Sequence, residues 1–388
     1  MSRAIGKLGD LVDIRGGGTP SKAIPEYWGG AIPWASVKDF KGGVLKVTED
    51  YITELAVSCS ATNVIPAGNI IVPTRMALGK VAINEVDMAI NQDLKALQVR
   101  DESTLSTQYL FHFLKSKAKF LEEQGKGATV KGITLDVLKG LEIPIHTLAD
   151  QKRIATILDK MDAIRSKRLQ SIQLAGDVLR AVFLEMLGDP ATNPKSWPVY
   201  KMSEVIDFRG GSQPPKETFE YEERPGYVRL VQIRDFRTDK YKTYIPAHLA
   251  RRRFEMDDVM IGRYGPPVFQ ILRGLSGSYN VALMKAVPKA GVTKDFVYRL
   301  LQLPTYQDAV IANSERTAGQ SGVNLDLLNS LDVPLPPVVV QDEMSSKIKK
   351  AEVLLNKLKL DLAVVERLSS SFSQSAFPGG DKWQGVEA

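Results

Sequence analysis

The sequence has little of the chemistry that most enzyme and metal sites use. It holds one cysteine, Cys59, and three histidines among 388 residues. A single cysteine excludes an intrachain disulfide framework and a cysteine-based metal cluster, and three scattered histidines disfavour a histidine metal site. We expect His112, His146 and His248 to be surface or capping residues and Cys59 to be a small packed residue.

Long apolar runs are also lacking. None reaches the roughly 18 residues that a membrane span needs, and the N-terminus has no hydrophobic targeting segment. We therefore expect a cytoplasmic protein without a membrane partner. The composition, 44% hydrophobic and 25% charged, is that of an ordinary globular protein, and 388 residues allow two or three domains.

Recognisable catalytic motifs are missing as well. The sequence has no Gly-x-Ser-x-Gly elbow and no His-Glu-x-x-His motif. An amino-methyltransferase loop needs Asn or Asp before Pro-Pro and an aromatic residue, and the nearest stretch is Asn193-Pro194-Lys195. The run from Gly16 to Lys22 lacks the glycine before the lysine and the Ser or Thr after it that a nucleotide phosphate loop requires. We predict no catalytic residue and no metal ligand in this chain.

What the sequence does have is an excess of positive charge. The net charge is +6 and the isoelectric point is about 9.1, which favours an anionic partner. Two stretches are nearly balanced: Asp150 to Asp189 has seven basic and six acidic residues, and Val339 to Ala376 has six and five. The excess therefore lies outside these stretches, so any nucleic acid should be bound by the rest of the chain.

Both balanced stretches have the apolar periodicity of long helices. The first helix is predicted from Gln151 to Leu187, before the stop signal Gly188-Asp189-Pro190, and the second from Gln341 to Phe372. Their three- and four-residue spacing predicts a coiled-coil seam. Its residues are Ile154, Leu158, Met161, Ile172, Leu179 and Val182 in the first helix, and Met344, Ile348, Leu355, Leu358, Leu362 and Val365 in the second.

Two arginines, Arg165 and Arg168, fall on the apolar stripe of the first helix. We expect them either to extend their charged ends to solvent or to meet an acidic group on a partner. The two helices should pack together, and a near-twofold repeat favours an antiparallel pair.

The remainder of the chain is a repeat of one mixed segment. The strand predicted at Leu8–Ile14 runs into the glycine turn near Gly17, and Met202–Phe208 runs into Gly210-Gly211 in the same way. A period of about 190 residues indicates a duplicated domain plus helix. The predicted limits are domain one 1–148, helix one 149–189, domain two 190–338, helix two 339–376 and a tail 377–388.

Basic and amide-bearing residues recur in the loops of both copies. Arg75 and Lys80 flank a short loop, as Arg263 and Tyr264 do in the second copy. Such residues beside glycines suit phosphate and base contacts. The DNA-binding candidates are Thr19, Ser21, Lys22, Lys38, Arg75, Lys80, Lys126, Thr129 and Lys131 in the first copy, and Gln213, Lys216, Arg234, Arg263, Tyr264, Arg316, Gln320 and Ser321 in the second.

The whole layout resembles the DNA specificity subunit of type I restriction-modification enzymes. The carrying features are Leu8-Gly9-Asp10 before Gly17-Gly18-Thr19-Pro20-Ser21, the stretch Ile143-Pro144 before Gln151, and the stretch Val333-Pro334-Leu335-Pro336-Pro337 before Gln341. The resemblance implies an α+β fold with two similar mixed α/β target recognition domains. Two long antiparallel helices would separate them as a coiled coil, with an internal pseudo-twofold repeat.

The resemblance also implies a division of labour. Each recognition domain would read one half of a split double-stranded DNA target, and the helices would set the gap and dock two methyltransferase subunits. Restriction and translocase subunits would complete the complex. S-adenosylmethionine, ATP and Mg²⁺ would act in those partner subunits, and this chain would hold no cofactor.

Two other readings stay open from the sequence. The chain could be a coiled-coil adaptor that binds only proteins, or a methyltransferase or nuclease whose active site has gone unrecognised. If the chain is a DNA specificity subunit, recognition domains roughly 40–55 Å apart would centre on half-sites about 12–16 base pairs apart.

Overall fold

A computed structural model describes residues 4–127, 131–265, 267–314 and 322–378. The chain forms two compact units, which comprise residues 1–169 with 360–388 and residues 170–359. Each unit takes one half of each long helix, and the domain limits drawn from the sequence stay a prediction.

The first unit is built from short strands, short helices and the beginning of a long helix. Its elements in chain order are β1 Ala4–Lys7, α1 Leu8–Leu11, β2 Val12–Gly16, β3 Trp28–Ala35, β4 Val44–Leu45, β5 Asp50–Ile52, α2 Glu54–Cys59, β6 Val64–Ile65, β7 Ile70–Pro73, β8 Ala82–Asn84, β9 Met88–Ile90, β10 Leu94–Val99, α3 Thr107–Ser116, α4 Ala118–Glu123, α5 Leu135–Lys139, β11 Glu142–Ile145 and α6 Leu148–Leu187.

Three sheets organise this unit. β1 pairs with β11, five strands follow the order β2-β10-β7-β8-β4, and four strands follow the order β5-β3-β9-β6. The main core lies between the five-stranded sheet, α3 and the long helices, where Tyr109, Phe113 and Leu8 are fully buried. Burying this apolar surface is the main source of the unit's stability.

The second unit repeats this construction. Its elements are β12 Val199–Lys201, α7 Met202–Val205, β13 Ile206–Gly210, β14 Tyr227–Val231, β15 Tyr244–Pro246, β16 Arg253–Phe254, β17 Val259–Gly262, β18 Gln270–Leu272, β19 Gly277–Tyr279, β20 Leu283–Pro288, α8 Lys294–Leu300, α9 Pro304–Ser314, α10 Leu325–Ser330, β21 Asp332–Pro334 and α11 Val338–Ala376.

The sheets of the second unit follow the same order as those of the first. β12 pairs with β21, and the two larger sheets run β13-β20-β17-β18 and β15-β14-β19-β16. Strand for strand, these match β1-β11, β2-β10-β7-β8 and β5-β3-β9-β6, and β4 is extra in the first unit. The predicted α+β fold, with two similar mixed units and two long helices, is confirmed.

One strand prediction is wrong. Leu8–Leu11 forms a helical turn between β1 and β2, where the sequence suggested a single strand over Leu8–Ile14. The chain changes sheets at this point, since β1 belongs to the two-stranded sheet and β2 to the five-stranded sheet. The turn buries Leu8 completely, and the Leu8 N–H donates to the Leu141 carbonyl at 2.9 Å. Met202–Val205 makes the same turn in the second unit.

The long helices extend a few residues beyond their predicted ends. α6 begins at Leu148, and it ends at Leu187 because Gly188 adopts a left-handed conformation with φ of 84° and Pro190 follows. α11 runs from Val338 to Ala376. Every seam residue named from the sequence is buried or partly buried, and Leu158, Leu179, Met344 and Ile348 are at most 6% exposed.

Within each unit the two helices run antiparallel. In the first unit Leu158 of α6 packs in one cluster with Phe372 and Ala376 of α11. In the second unit Leu179 of α6 shares a cluster with Met344 and Ile348 of α11. Residues late in one helix thus meet residues early in the other.

The two seam arginines find acidic partners inside the chain. Arg165 Nε lies 3.0 Å from Glu366 Oε1, and Arg168 Nη1 lies 2.9 Å from Asp361 Oδ2. The carboxylates come from α11, so neither free solvation nor a partner protein explains these arginines. Both pairs are partly exposed, and each contributes at most about 1 kcal/mol to stability. Their main effect is to set the register of the helices.

The residue that follows α11 also belongs to the core of the first unit. Phe377, which the sequence assigned to a tail, is 3% exposed. Its ring centroid lies 5.2 Å from that of Tyr109 and 5.7 Å from that of Phe113. An aromatic side chain at this position stabilises the unit by closing its core over the end of α11.

A buried glutamine fixes the start of each long helix to the unit around it. Gln151 is 0% exposed; its Oε1 accepts from the Ser106 N–H at 2.9 Å, and its Nε2 donates to the Thr104 and His146 carbonyls at 2.8 and 2.9 Å. The carboxamide thereby satisfies three backbone groups that would otherwise be buried without partners.

The second unit has the same arrangement. Gln341 is 0% exposed and accepts from the Thr293 N–H at 2.9 Å. Its Nε2 donates to the Gly291 and Pro336 carbonyls at 2.9 and 2.8 Å. Both long helices are therefore anchored by one interaction, made twice.

We expect Gln151→Ala to lower the free energy of unfolding by about 2–4 kcal/mol, because it leaves buried backbone groups unpaired. Gln173→Ala on the same helix is the matched control. Gln173 is exposed and its amide reaches only Asp177, so its loss should cost less than about 0.5 kcal/mol. Denaturant titration of both variants measures the difference, and equal losses would contradict the anchor.

Candidate nucleic-acid interface

The glycine turn of the first unit is shaped by close backbone contact. The Gly18 N–H donates to the Ile90 carbonyl at 2.9 Å, and a Cβ added to Gly17 would lie 2.0 Å from that oxygen. No other residue fits at Gly17. The Gly18 amide is thus already bonded to protein and is not free to bind a phosphate.

Two tryptophans hold the chain that follows this turn. Trp34 Nε1 donates to the Gly18 carbonyl at 3.0 Å, and Trp28 Nε1 donates to the Ser21 carbonyl at 3.1 Å. The two rings meet edge to face, with centroids 5.2 Å apart. Ser21 and Lys22 are exposed on the supported segment, and the Thr19 hydroxyl donates to Gln92. The sequence analysis missed the tryptophans, which lie 7 and 16 residues from their partners.

The second unit builds the same turn with different polar residues. A Cβ on Gly211 would lie 1.9 Å from the Asn280 carbonyl oxygen, and the Ser212 N–H donates to the Tyr279 carbonyl at 3.1 Å. Gln213 and Lys216 follow as exposed residues. The turns are thus equivalent in backbone, and the side chains beside them differ.

A second loop pair brings basic residues together in the first unit. Arg75 forms a β-bridge with Gly132, Lys126 exchanges two backbone hydrogen bonds of 2.9 Å with Gly132, and the Met76 N–H donates to the Lys131 carbonyl at 3.0 Å. Arg75, Lys126 and Lys131 therefore lie on neighbouring segments, although more than 50 residues of sequence separate the two loops.

Lys80 and Lys38 lie around another turn of the same unit. Lys80 Nζ donates to the Phe40 carbonyl at 3.1 Å, at the end of the short helical turn Val37–Asp39 that carries Lys38. The Asp39 carboxylate caps this turn by accepting from the Ser36 N–H at 2.7 Å. One hydrogen bond of the Lys80 ammonium group therefore stabilises the turn. Lys38 is exposed.

The corresponding loops of the second unit correct one expected pairing. Tyr264 forms the bridge with Gly322 that Arg75 forms with Gly132. The Val323 N–H donates to the Arg263 carbonyl at 3.1 Å, as the Ile133 N–H does to Thr74 at 2.9 Å. Tyr264 is therefore the counterpart of Arg75, and Arg263 is the counterpart of Thr74. The sequence pattern aligned Arg75 with Arg263. The correct alignment follows from the bridges that the fold forms, and these cannot be read from the sequence.

Arginines stack on tyrosines in the second unit. Arg263 Cζ lies 5.3 Å from the centroid of Tyr264, and Arg234 Cζ lies 5.2 Å from that of Tyr241. Asp235 caps the turn that carries Arg234 by accepting from the Gln232 N–H at 2.7 Å, as Asp39 does in the first unit. Stacking orients the guanidinium planes while leaving donors open to a ligand.

Four candidates, Thr129, Arg316, Gln320 and Ser321, lie outside the described residues. Three exposed arginines, Arg251, Arg252 and Arg253, were missed by the sequence analysis. The signal that could have found them is the run of three consecutive arginines itself.

The histidine expectation is wrong at one position. His112 is 4% exposed, and its Nε2 lies 2.8 Å from Asp159 Oδ1. Burial lowers the pKa of His112, and the Asp159 carboxylate acts against that shift. This pair joins α3 to α6 and has a structural role. Among the residues that the structure describes, no cluster of three or more His, Cys, Asp or Glu side chains could hold a metal ion.

The outer faces of the long helices carry exposed apolar side chains. They are between 42% and 71% exposed: Ile164, Leu169, Leu360, Val364 and Leu368 in the first unit, and Leu174, Val178, Val353 and Leu354 in the second. Apolar side chains exposed at this density along a helix indicate a protein-binding face. In the described part of the chain, no helix is long and apolar enough to cross a membrane.

Comparison with known proteins agrees with this picture. A sequence model of the family described as "Type I restriction modification DNA specificity domain" matches residues 4–174. The MjaIX specificity subunit of Methanocaldococcus jannaschii is 28% identical over 253 residues, which are 58% of this chain and 57% of that protein. The EcoR124I/EcoR124II specificity subunit of Escherichia coli is 38% identical over 164 residues, 40% of each chain. The aligned segments thus cover about half of these relatives.

A longer alignment and a solved structure extend the similarity. The M. jannaschii MjaVIII specificity subunit is 20% identical over 93% of this chain and 88% of its own length. The crystal structure of a type I restriction-modification S subunit from M. genitalium superposes with a TM-score of 0.58 at 16% identity, covering 98% of this chain and 97% of that one.

Residues 4–174 match the type I restriction modification DNA specificity domain, and the chain shares the fold of the solved S subunit. The chain is similar to specificity subunits of type I restriction-modification systems, and the matching family model covers residues 4–174 of its 388.

We expect Gly17→Ala to destabilise the first unit by about 1–3 kcal/mol, because the added Cβ collides with the Ile90 carbonyl and forces the turn away. Gly42→Ala is the matched control, since a Cβ at Gly42 meets nothing within 4 Å. Thermal unfolding of the two variants tests this. A Gly17→Ala protein as stable as Gly42→Ala would refute the close-approach explanation.

Proposed function

We propose that this chain is the DNA-reading subunit of a type I restriction-modification complex. Each unit reads one half of a bipartite, asymmetric double-stranded target. The observation that carries this proposal is the recurrence of one loop frame with different side chains, Arg75 at a position where Tyr264 stands in the other unit. Because the loop backbones of the two units are alike, both units can dock on duplex DNA in the same way. Because their side chains differ, the two half-sites can differ in sequence.

The exposed loop residues supply both kinds of DNA contact. Lys22, Lys126, Lys131 and Lys216 carry ammonium groups suited to backbone phosphates. Arg75, Arg263 and Gln213 carry planar donor groups that suit base edges in the major groove. The hydroxyl groups of Thr19 and Ser21 suit either. These side chains lie at the candidate interface of their own unit.

Catalysis belongs to partner subunits in this proposal. Two methyltransferase subunits transfer the methyl group from S-adenosylmethionine, and restriction and translocase subunits use ATP and Mg²⁺. The chain itself contributes recognition and holds no cofactor. It works in the cytoplasm, where bacterial and archaeal DNA is found.

The exposed apolar faces of the long helices are the docking sites for the methyltransferase subunits. Leu360, Val364 and Leu368 follow one face of α11 in the first unit and are 52–69% exposed. A coiled-coil pair has no need of apolar residues on its outer surface, and a further packed helix would bury them. The same faces would serve a pure protein adaptor, so DNA binding decides between the two functions.

Footprinting of the assembled complex tests the proposal. We expect salt-dependent protection at two half-sites separated by an unprotected gap. Arg75→Ala should weaken the first half-site, and Tyr264→Ala the second, each by about 1–3 kcal/mol, and each variant is the control for the other. Both residues are exposed, so folding should be unaffected.

Three results would contradict this assignment. The absence of any footprint at low salt would favour the protein adaptor, and methyl transfer by the isolated chain with labelled S-adenosylmethionine would favour an enzyme. An equal effect of both variants on both half-sites would contradict one unit per half-site.

The helices set the gap between half-sites in this proposal. Inserting about four residues, one turn, into both helices adds about 5–6 Å, and DNA rises about 3.4 Å per base pair. Insertion after Leu169 and before Leu360 should therefore lengthen the gap by one to two base pairs, as mapped by methylation of complexes carrying the folded variant. A gap that stays the same in a folded insertion variant would contradict the spacer role.

A further inference from the structure

Arginine is distributed very unevenly between the two recognition segments. Residues 190–338 contain 12 arginines, and residues 1–148 contain four. Three of the 12 are consecutive, Arg251, Arg252 and Arg253, and they join the short helical turn Ala247–Leu249 to β16. All three are exposed. They lie outside the loop segments that recur in both copies of the repeat.

Strand register identifies the residues that replace these arginines in the first unit. Arg253 pairs with Ser278 and Phe254 with Gly277 in the second unit. In the first unit Val64 pairs with Ala89 and Ile65 with Met88, in the equivalent strands. Val64 is therefore the counterpart of Arg253.

Continuing this register toward the N-terminus, Asn63 is the counterpart of Arg252 and Thr62 that of Arg251. The first unit is thus neutral at three positions where the second unit carries three positive charges.

The arginine run lies beside the glycine turn of the second unit. Tyr279 connects them: its N–H donates to the Arg252 carbonyl at 3.2 Å, and its carbonyl accepts from the Ser212 N–H at 3.1 Å. Its hydroxyl donates to the Arg209 carbonyl at 3.2 Å, just before Gly210. Burial raises the pKa of Tyr279, and the positive charges of Arg252 and Arg209 oppose that rise.

The arginines of this run have no salt-bridge partner among the described residues of the unit. Arg209 is paired with Asp207 at 2.7 Å. Among residues 4–127, 131–265, 267–314 and 322–378, no carboxylate lies within 4.0 Å of the guanidinium groups of Arg251, Arg252 or Arg253. Arg253 Nη2 donates to the Ala247 carbonyl at 3.0 Å and so holds its own loop. Adjacent unpaired arginines repel one another, and an anion bound across them removes that repulsion.

We propose that Arg251 and Arg252 bind backbone phosphates of the DNA duplex beside the glycine turn of the second unit. The proposal rests on the proposed function and deepens it. The two units then differ in kind as well as in sequence: the second half-site is held with additional phosphate contacts that the first lacks, so it contributes more of the salt-dependent affinity.

The test uses the full chain and a fluorescent duplex of random sequence, about 40 base pairs long, since phosphate contacts are independent of sequence. Affinity is measured by anisotropy between roughly 50 and 200 mM salt. We expect the double variant Arg251→Gln, Arg252→Gln to make the slope of log affinity against log salt shallower by about 1.8, which is about 0.9 for each phosphate released. Arg253 is kept because it holds the loop.

A reciprocal variant guards against a trivial loss of folding. Asn63→Arg introduces a guanidinium at the position equivalent to Arg252, where Asn63 is exposed, and should steepen the slope by about 0.9. Lys195→Gln removes one positive charge, as each single substitution in the run does, and is the control for charge loss elsewhere in the unit. Lys195 packs beside Gly188 at the end of α6, away from the glycine turn, and its loss should leave the slope unchanged.

The outcomes separate this inference from the proposed function. If the unmodified chain binds DNA and the double variant keeps the full slope, the arginine run does not contact phosphate and the inference is wrong. If the slope is unchanged but the preferred sequence of one half-site changes, the arginines read bases, which also overturns it. If the unmodified chain, alone and in its complex, binds no DNA at low salt, the proposed function itself fails.

Discussion

The structure depends on one buried side-chain interaction that occurs twice. Gln151 and Gln341 are fully buried near the start of α6 and α11, and each carboxamide pairs with one backbone N–H and two backbone carbonyls of the surrounding unit. A buried amide is costly without partners and directional with them. Within each unit, the direction in which the helix leaves the sheets is therefore fixed, and so is the position of the recognition loops relative to that helix.

On this fixed frame, equivalent loop positions of the two units carry different side chains. The glycine turns approach equivalent backbone pairs, Ile90-Asn91 in the first unit and Tyr279-Asn280 in the second, and the bridges to Gly132 and Gly322 are equivalent. Arg75 and Tyr264 then occupy one position with different chemistry. Loop side chains can differ in this way without disturbing the core.

The sequence predicted the features that depend on local periodicity. The two long helices were placed to within four residues at each end because their apolar spacing is continuous and their ends carry stop signals. The repeat showed Gln151 and Gln341 to lie at matching positions of the two copies. Features set by strand pairing were harder to predict from the sequence. Leu8–Leu11 forms a helical turn where the chain changes sheets, and the position of Arg75 in the first unit is occupied by Tyr264 in the second.

The partners of Arg165 and Arg168 were hidden for a similar reason. Their carboxylates lie 201 and 193 residues away, and only the register of an antiparallel pair brings them together. The Arg251–Arg253 run was visible in the sequence, yet its place beside the glycine turn follows from the pairing of β16 with β19. The role of a charged residue therefore depends on the neighbours that the fold places around it, and the sequence alone does not show them.

The central claim is that two unlike units read two unlike half-sites across a gap. Mapping of methylated sites in cells that express this chain with its methyltransferase subunits tests it most directly. The account predicts one asymmetric bipartite motif with a fixed non-specific gap, whose two halves differ in sequence. A single continuous motif, a palindrome of two identical halves, or methylation without sequence preference would contradict it.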